Sequence, residues 1–149
     1  KDVHYIKSLA GKNSFIISKI ETRKGFINRN KIMKKSNAAL IDRGDLSRYI
    51  SVSKIPYAQK DIIKSGKKIK TPIYVATNLL ESMVSSKSPT RAESNDIITT
   101  LESGASGLVL AAETAIGKYP FDSVLFLTDC IKNFKKIRNK NIQKNFLFS

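Results

Sequence analysis

The chain has 149 residues, 41% of them hydrophobic, and a formal net charge of +15. Its length and its mean hydropathy of -0.23 predict a single domain over residues 1–149 and exclude an intrinsically disordered chain. No run approaches the roughly eighteen apolar residues of a membrane span, and the first residues lack the apolar region of a signal peptide, so we expect a cytoplasmic protein without a membrane partner.

The positive charge raises the question of nucleic-acid binding, because a basic surface gains affinity from counterion release. The lysines, however, are scattered over every segment and do not cluster with aromatic residues, so we expect no nucleic-acid partner. Thiol chemistry and transition-metal chemistry are also not expected, because the chain has one cysteine, Cys130, and one histidine, His4.

Strand-like and helix-like segments alternate in chain order. Thr90 and Glu93 form a capping box at the start of the clearest helix, Gly104 supplies its end, and Gly66 is predicted to close the preceding helix. The predicted strands are 14–21, 37–45, 71–78 and 106–115, and the predicted helices are 29–36, 52–66, 89–104 and 119–137.

This alternation predicts an α/β fold made of parallel βαβ units, with strands covered on both faces. The carboxyl ends of such strands share one rim, where ligands bind. In the first strand, Lys19 and Glu21 share a face with Phe15 and Ile17, and we expect that face to be buried. Buried charges must be paired or bound to a ligand, so the rim is the predicted site.

Polar side chains at these strand ends carry the candidate chemistry. Glu21 and Asp45 offer the oxygen ligands that Mg²⁺ or Mn²⁺ prefers, and Lys19 beside them can stabilise a phosphoryl group or an enolate oxygen. The backbone N–H groups of Gly44 and Asp45 lie at a strand-to-helix turn, and Thr77 adds a hydroxyl on the next strand. Together these groups predict an anion site with a divalent cation.

Simpler explanations exist for each of these features. A lysine two residues before a glutamate is often a structural ion pair, and the segment around Thr90 is first of all a helix cap. Glu113, at the end of the fourth strand, can equally be buried against Arg43 or Arg91. Neither the P-loop pattern nor the dinucleotide-binding glycine pattern occurs in the sequence.

Six segments in order resemble the second half of the catalytic barrel of the pyruvate kinase family: "IISKIET", "DRGDLS", "AQK", "VATNLLESM", "PTRAE" and "GASGLVLAAETAIGKYP". The resemblance covers about residues 2–135 and leaves 136–149 as a tail. It implies the last four strands of a TIM (β/α)₈ barrel. Its implied substrates are phosphoenolpyruvate or pyruvate, and its implied cofactors are magnesium and potassium.

The resemblance also implies a role for each site residue. Lys19 matches the lysine that neutralises the transferring phosphoryl group, and Glu21 and Asp45 match the magnesium ligands. The amides of Gly44 and Asp45, with Thr77, match the groups that hold the substrate carboxylate.

Two further positions bear on the implied reaction. Thr77 also lies near the face where the enolate is protonated, and Glu113 matches a glutamate in a hydrogen-bonded network on that proton path. The implied catalytic residues are therefore Lys19, Thr77 and Glu113. Asp42 departs from the pattern, since the family usually has alanine there, and its added negative charge either repels substrate or points away.

Half of the implied barrel is missing, because a whole barrel of this kind takes about 250 residues. In the family, the missing half carries the potassium ligands and most contacts to ADP or ATP. Two sheet edges, near 15–21 and 108–113, are left open to pairing. The chain is expected to be a piece of a longer protein, a subunit completed by a companion chain, or a self-pairing homo-oligomer, and its helix-like first residues favour the first two.

Three functions stay open at this point. The first is a magnesium-dependent glycolytic phosphotransferase that converts phosphoenolpyruvate and ADP to pyruvate and ATP and is incomplete without the other half. The second is a magnesium-dependent lyase or decarboxylase that forms an enolate from a 2-oxo acid. The third is a non-catalytic subunit of the same family.

Overall fold

Four parallel strands form one sheet. The structure is a computed structural model that describes residues 2–11 and 13–139. The strands lie in chain order, and each neighbouring pair is parallel: β1 (Ile17–Ile20), β2 (Ala38–Asp42), β3 (Ile73–Ala76) and β4 (Gly107–Val109). The predicted α/β class with parallel strands is confirmed, although every strand is shorter than its predicted segment.

Helices of very different length connect the strands. In the described residues none of them is both long and apolar enough to cross a membrane. The predicted tail, 136–149, overlaps the last helix at 136–139, and the remainder lies outside the described residues. The helices are α1 (Asp2–Ala10), α2 (Arg23–Ile27), α3 (Arg29–Met33), α4 (Arg43–Leu46), α5 (Ile55–Ile69), α6 (Arg91–Ser103), α7 (Ala112–Ala115) and α8 (Pro120–Asn139), with 3₁₀ turns at Val52–Lys54 and Glu81–Val84.

One face of the sheet packs against helices and forms the core. Ile20, Ile41 and Val75 point to that face from three successive strands, and each is fully buried beside Ile62 and Ile63 of α5. Burying one such side chain stabilises the fold by about 1.5–3 kcal/mol. A second cluster joins α6 and α8 and contains Leu79, Leu80, Met83, Ile97, Leu101, Leu127 and Cys130.

The opposite face of the sheet is exposed along β1 and more covered along β2 and β3, where Ala38 and Ala76 are buried. Phe15 and Ile17 are 64% and 48% exposed, and Leu40 and Tyr74, which align with Lys19 in the register, are only partly buried. The expectation that the face carrying Lys19 is buried is therefore wrong. Right-handed crossovers between strands that follow one another in order place every connecting helix on the same side, so these helices cannot cover both faces.

Helix α5 continues past the glycine that was predicted to close it. The helix ends at Ile69, and Lys70 forms the cap with a left-handed φ of 61°. Gly66 lies inside the helix, and a Cβ atom there would stand 2.3 Å from Cγ1 of Ile73. The glycine is thus needed for close contact between α5 and β3 and does not mark a chain reversal.

The last strand is the shortest, and its predicted end is wrong. β4 stops at Val109, and residues Ala112–Ala115 form the short helix α7. Glu113 therefore lies on a helix that follows the strand.

The start of α6 confirms the predicted capping box. Thr90 accepts the N–H of Glu93 at 3.2 Å, and the Glu93 carboxylate accepts the N–H of Thr90 at 2.7 Å. The same carboxylate accepts the N–H and the hydroxyl of Ser82, which ties α6 to the turn at Glu81–Val84. Burial alone would raise the pKa of Glu93, but these hydrogen bonds from Ser82 and Thr90 outweigh it and hold the pKa below its usual range.

Replacing Glu93→Gln should lower the free energy of unfolding by about 1–2 kcal/mol at neutral pH, because an ionised acceptor of several hydrogen bonds is lost. The ionised form stabilises the native state, so its contribution is complete above the unfolded pKa of about 4.3 and is lost as pH falls through the lower folded pKa. Urea unfolding followed by circular dichroism should show the wild-type advantage shrinking below about pH 4.

The matched control is Glu102→Gln, an exposed glutamate near the end of α6. Its free energy of unfolding should stay the same or rise slightly, because a carboxylate near a helix C-terminus is unfavourable. Equal losses in the two variants would contradict the role assigned to Glu93.

Candidate functional site

A lysine surrounded by three carboxylates lies at the carboxyl ends of β1 and β2. Lys19 Nζ is 2.7 Å from Oε2 of Glu21, 3.0 Å from Oδ2 of Asp42 and 3.7 Å from Oδ2 of Asp45. Lys19 belongs to β1 and Glu21 follows it, while Asp42 ends β2 and Asp45 lies in α4. The parallel pairing of β1 with β2 aligns these residues at one rim. The structure thus brings the predicted Lys19, Glu21 and Asp45 together and adds Asp42.

The charges of this cluster support one another. Close contact with the carboxylates of Glu21 and then Asp42 raises the pKa of Lys19, against the opposing effect of burial. Burial by itself would raise the pKa of Asp42, but the contact with Lys19 and the N–H of Asp45 outweigh it and lower that pKa. The ammonium and the Asp42 carboxylate are therefore both charged at neutral pH.

The donor set of this cluster fits a divalent cation. Glu21, Asp42 and Asp45 each offer a carboxylate oxygen, and these oxygens lie within 4.8 Å of one another. Oε2 of Glu21 is buried and accepts no hydrogen bond of good geometry in the described residues, so its contact with Lys19 is an ion pair defined by distance. Carboxylate oxygens are the ligands that Mg²⁺ and Mn²⁺ prefer.

Gly44, Asp45 and Thr77, the predicted anion-binding groups, also meet at this rim. The Gly44 N–H donates to Oγ1 of Thr77 at 2.8 Å, and the Asp45 N–H donates to Oδ1 of Asp42 at 3.2 Å. Both amides are therefore engaged by acceptors within the chain. Oγ1 of Thr77 lies 2.6 Å from the carbonyl oxygen of Ala76 and 3.3 Å from Oδ1 of Asp42, so its proton has two possible acceptors.

The turn after β3 has an unusual backbone conformation. Thr77 and Asn78 have φ values of 69° and 55°, a left-handed region that a β-branched residue such as threonine rarely adopts. Arg43 holds this turn: its guanidinium donates to the carbonyl of Thr77 at 2.8 and 3.0 Å and to that of Asn78 at 2.8 Å. The same guanidinium, whose side chain is 10% exposed, pairs with Asp96 of α6 at 2.6 Å.

Arg43 is thus a positioning residue that the sequence interpretation missed. The sequence places Arg43 at a strand end and offers it as a partner for Glu113. Its actual contacts are tertiary: Asp96 lies far along the chain, and contacts to backbone carbonyls cannot be predicted from the residue pattern. Through the turn that it fixes, Arg43 orients the Thr77 hydroxyl toward Gly44.

Glu113 lies apart from the lysine cluster in its contacts. Its carboxylate, 2% exposed, accepts the N–H of Leu80 at 3.0 Å and the N–H of Ala111 at 2.7 Å. It therefore links α7 to the segment after β3. The alternative pairing with Arg43 or Arg91 is wrong, because the bonds of Glu113 go to backbone amides and Arg43 pairs with Asp96. A role of Glu113 in proton transfer stays a prediction.

Replacing Arg43→Lys should lower the free energy of unfolding by about 2–3 kcal/mol, because an ammonium cannot bridge two carbonyls and a carboxylate in the fork geometry of a guanidinium. Urea unfolding measured by circular dichroism tests this. Arg91→Lys is the control, since Arg91 is exposed, and it should cost less than about 0.5 kcal/mol. A loss no larger than in this control would contradict the role of Arg43 at the turn.

Comparisons with known proteins agree on one family. A family model described as the pyruvate kinase barrel domain matches residues 1–124. The pyruvate kinase of Thermotoga maritima is 42% identical over 126 residues, which cover 85% of this chain and 27% of that protein. The pyruvate kinase of Borreliella burgdorferi is 36% identical over 149 residues, covering 99% of this chain and 31% of that protein.

A plant relative is also named a pyruvate kinase. Pyruvate kinase isozyme G, chloroplastic, of Nicotiana tabacum is 39% identical over 120 residues, which cover 80% of this chain and 21% of that protein. The chain therefore spans less than a third of the length of the curated relatives that it matches.

Proposed function

The chain belongs to the pyruvate kinase family, and from this premise we propose that it supplies the metal-binding side of a phosphotransferase site. In the proposed reaction, the bond between phosphorus and the enol oxygen of phosphoenolpyruvate breaks as the terminal phosphate oxygen of ADP attacks phosphorus. ATP and the enolate of pyruvate form, and a proton added to the enolate carbon gives pyruvate. We expect this reaction in the cytoplasm, as a step of glycolysis.

The observation that carries the proposal is the ammonium of Lys19 in contact with Glu21 and Asp45 at one rim of a parallel sheet. The two carboxylates are the proposed ligands of Mg²⁺ or Mn²⁺, which when bound supplies positive charge beside the enol oxygen. Lys19 then neutralises charge on the phosphoryl group during transfer. Electrostatic stabilisation of this kind is usually the largest single contribution to catalysis.

Thr77 and Glu113 have proposed roles on the product side. The Thr77 hydroxyl lies beside the cluster, in contact with Gly44 and Asp42, and is placed to hydrogen-bond a carboxylate or pass a proton. Glu113 is buried and accepts two backbone N–H groups, and its proposed role is in a hydrogen-bonded network near the path of the proton. The proposed ligands of potassium lie outside this chain.

We also propose that the sheet is half of a (β/α)₈ barrel. The strand order leaves β1 and β4 as edges within the described residues, and the apolar Phe15 and Ile17 are exposed on the face that carries Lys19. A complete barrel has eight strands and no edge. The proposed partner is the other half, on a companion chain or a further segment of the same polypeptide, and it brings the contacts to ADP.

A second candidate, a non-catalytic subunit of the family, is favoured by one specific observation. The amides of Gly44 and Asp45, proposed to hold the substrate carboxylate, already donate to Thr77 and Asp42. A substrate has to replace at least one of these contacts in order to bind there.

Metal binding tests the proposed site without requiring the other half. The purified chain should bind Mn²⁺, measured as loss of the free-ion signal in electron paramagnetic resonance, and Glu21→Gln or Asp45→Asn should weaken binding roughly tenfold or more because a ligand charge is lost. Lys19→Met should tighten binding, because a neighbouring positive charge is removed.

Glu102→Gln serves as the control for the lost negative charge, since Glu102 is exposed on α6, and it should bind Mn²⁺ like the wild type. A wild-type chain without measurable Mn²⁺ binding would rule out the proposed site.

The open face predicts association. At micromolar concentration the chain should have a solution mass above 16.6 kDa, or co-purify with another polypeptide, because exposed strand edges and apolar side chains pair. Ile17→Lys should weaken the association, since it places a charge on the open face without altering the core. Val124→Lys is the control, because Val124 is 46% exposed on α8. A soluble wild-type monomer, measured by light scattering during gel filtration, would contradict the half-barrel proposal.

A further inference from the structure

The carboxylate of Asp42 is held by donors from three parts of the chain. Its Oδ1 accepts the N–H of Asp45 at 3.2 Å and lies 3.3 Å from the hydroxyl of Thr77, while its Oδ2 lies 3.0 Å from Nζ of Lys19. The residue is 9% exposed, and these contacts favour its charged form. These donors at the rim are therefore already in contact with a carboxylate of the chain itself, that of Asp42.

The contacts of Oδ1 separate Asp42 from Glu21. Both residues bring one oxygen to the ammonium of Lys19, Oε2 of Glu21 at 2.7 Å and Oδ2 of Asp42 at 3.0 Å. In the described residues only Asp42, of these two, also accepts a backbone N–H and lies beside a hydroxyl donor. Its surroundings are those of a bound anion more than those of a metal ligand.

We propose that Asp42 is an internal competitor that fills the place of a substrate carboxylate. The inference rests on the proposed function, because it takes the same rim to be the substrate site. The N–H of Asp45 and the hydroxyl of Thr77 are donors that suit the carboxylate of a 2-oxo acid or of oxalate, and Lys19 suits its negative charge. Two carboxylates cannot share these donors, since like charges at such distances repel. A substrate therefore binds only when Asp42 moves away.

The proposal distinguishes occupancy from simple repulsion. An alanine at position 42 removes both the charge and the atoms that occupy the donors. An asparagine removes the charge but keeps an oxygen that accepts from Asp45 and Thr77 and also caps α4. If Asp42 occupies the donors, alanine should raise the affinity for a substrate carboxylate more than asparagine does. If Asp42 only repels the substrate through its charge, the two substitutions should have equal effects on that affinity.

Oxalate is the probe, because it is a small dianion that presents a carboxylate to the same donors. Its affinity is measured by isothermal titration calorimetry at saturating Mg²⁺ for the wild type, Asp42→Ala, Asp42→Asn and Asp61→Ala. The last variant is the control: it removes the same charge from α5, where Asp61 pairs with Arg29 at 2.6 Å. Circular dichroism checks that each variant is folded.

Asp42→Ala should bind oxalate at least roughly tenfold more tightly than the wild type, with Asp42→Asn in between and Asp61→Ala unchanged. Equal oxalate affinities for wild type and Asp42→Ala, or equal gains for the alanine and asparagine variants, would overturn the inference. If Mn²⁺ still binds in those cases, the proposed metal site stands. If the wild type also fails to bind Mn²⁺, both the inference about Asp42 and the proposed metal site are overturned.

Discussion

The ion pair network around Lys19 is the constraint on which the rim of this sheet depends. Three carboxylates within 4.8 Å of one another repel strongly, and the ammonium of Lys19, which contacts all three, offsets this repulsion together with Arg48, which pairs with Asp45 at 3.4 Å. The parallel alignment of β1 and β2 sets this spacing, because strand ends in register deliver their side chains to one place. The pairing of β1 with β2 therefore determines the electrostatics at the rim.

A second arrangement, built from Arg43, supports the neighbouring strand end. The left-handed backbone of Thr77 is unfavourable by itself, and the guanidinium stabilises it through the carbonyls of Thr77 and Asn78. Because Arg43 also pairs with Asp96, the position of α6 is coupled to that of the Thr77 hydroxyl. The hydroxyl then meets Gly44 and Asp42, so the two arrangements share one hydrogen-bonded system.

Local chemistry made part of this structure predictable. The capping box and the left-handed Gly104 follow from residues within one turn, and the clustering at the rim follows from the parallel order of strands. What could not be predicted depends on distant neighbours. Gly66 is predicted to end a helix, but in the structure it allows close contact with Ile73. Glu113 and Arg43 form most of their hydrogen bonds with backbone groups, which the residue pattern does not reveal.

The strand order β1-β2-β3-β4 has a consequence for how the chain is made. Each strand pairs with the strand that precedes it in the chain, so each loop that the sheet closes spans one connecting unit. Such a topology can assemble stepwise on the ribosome, from the N-terminal side onward.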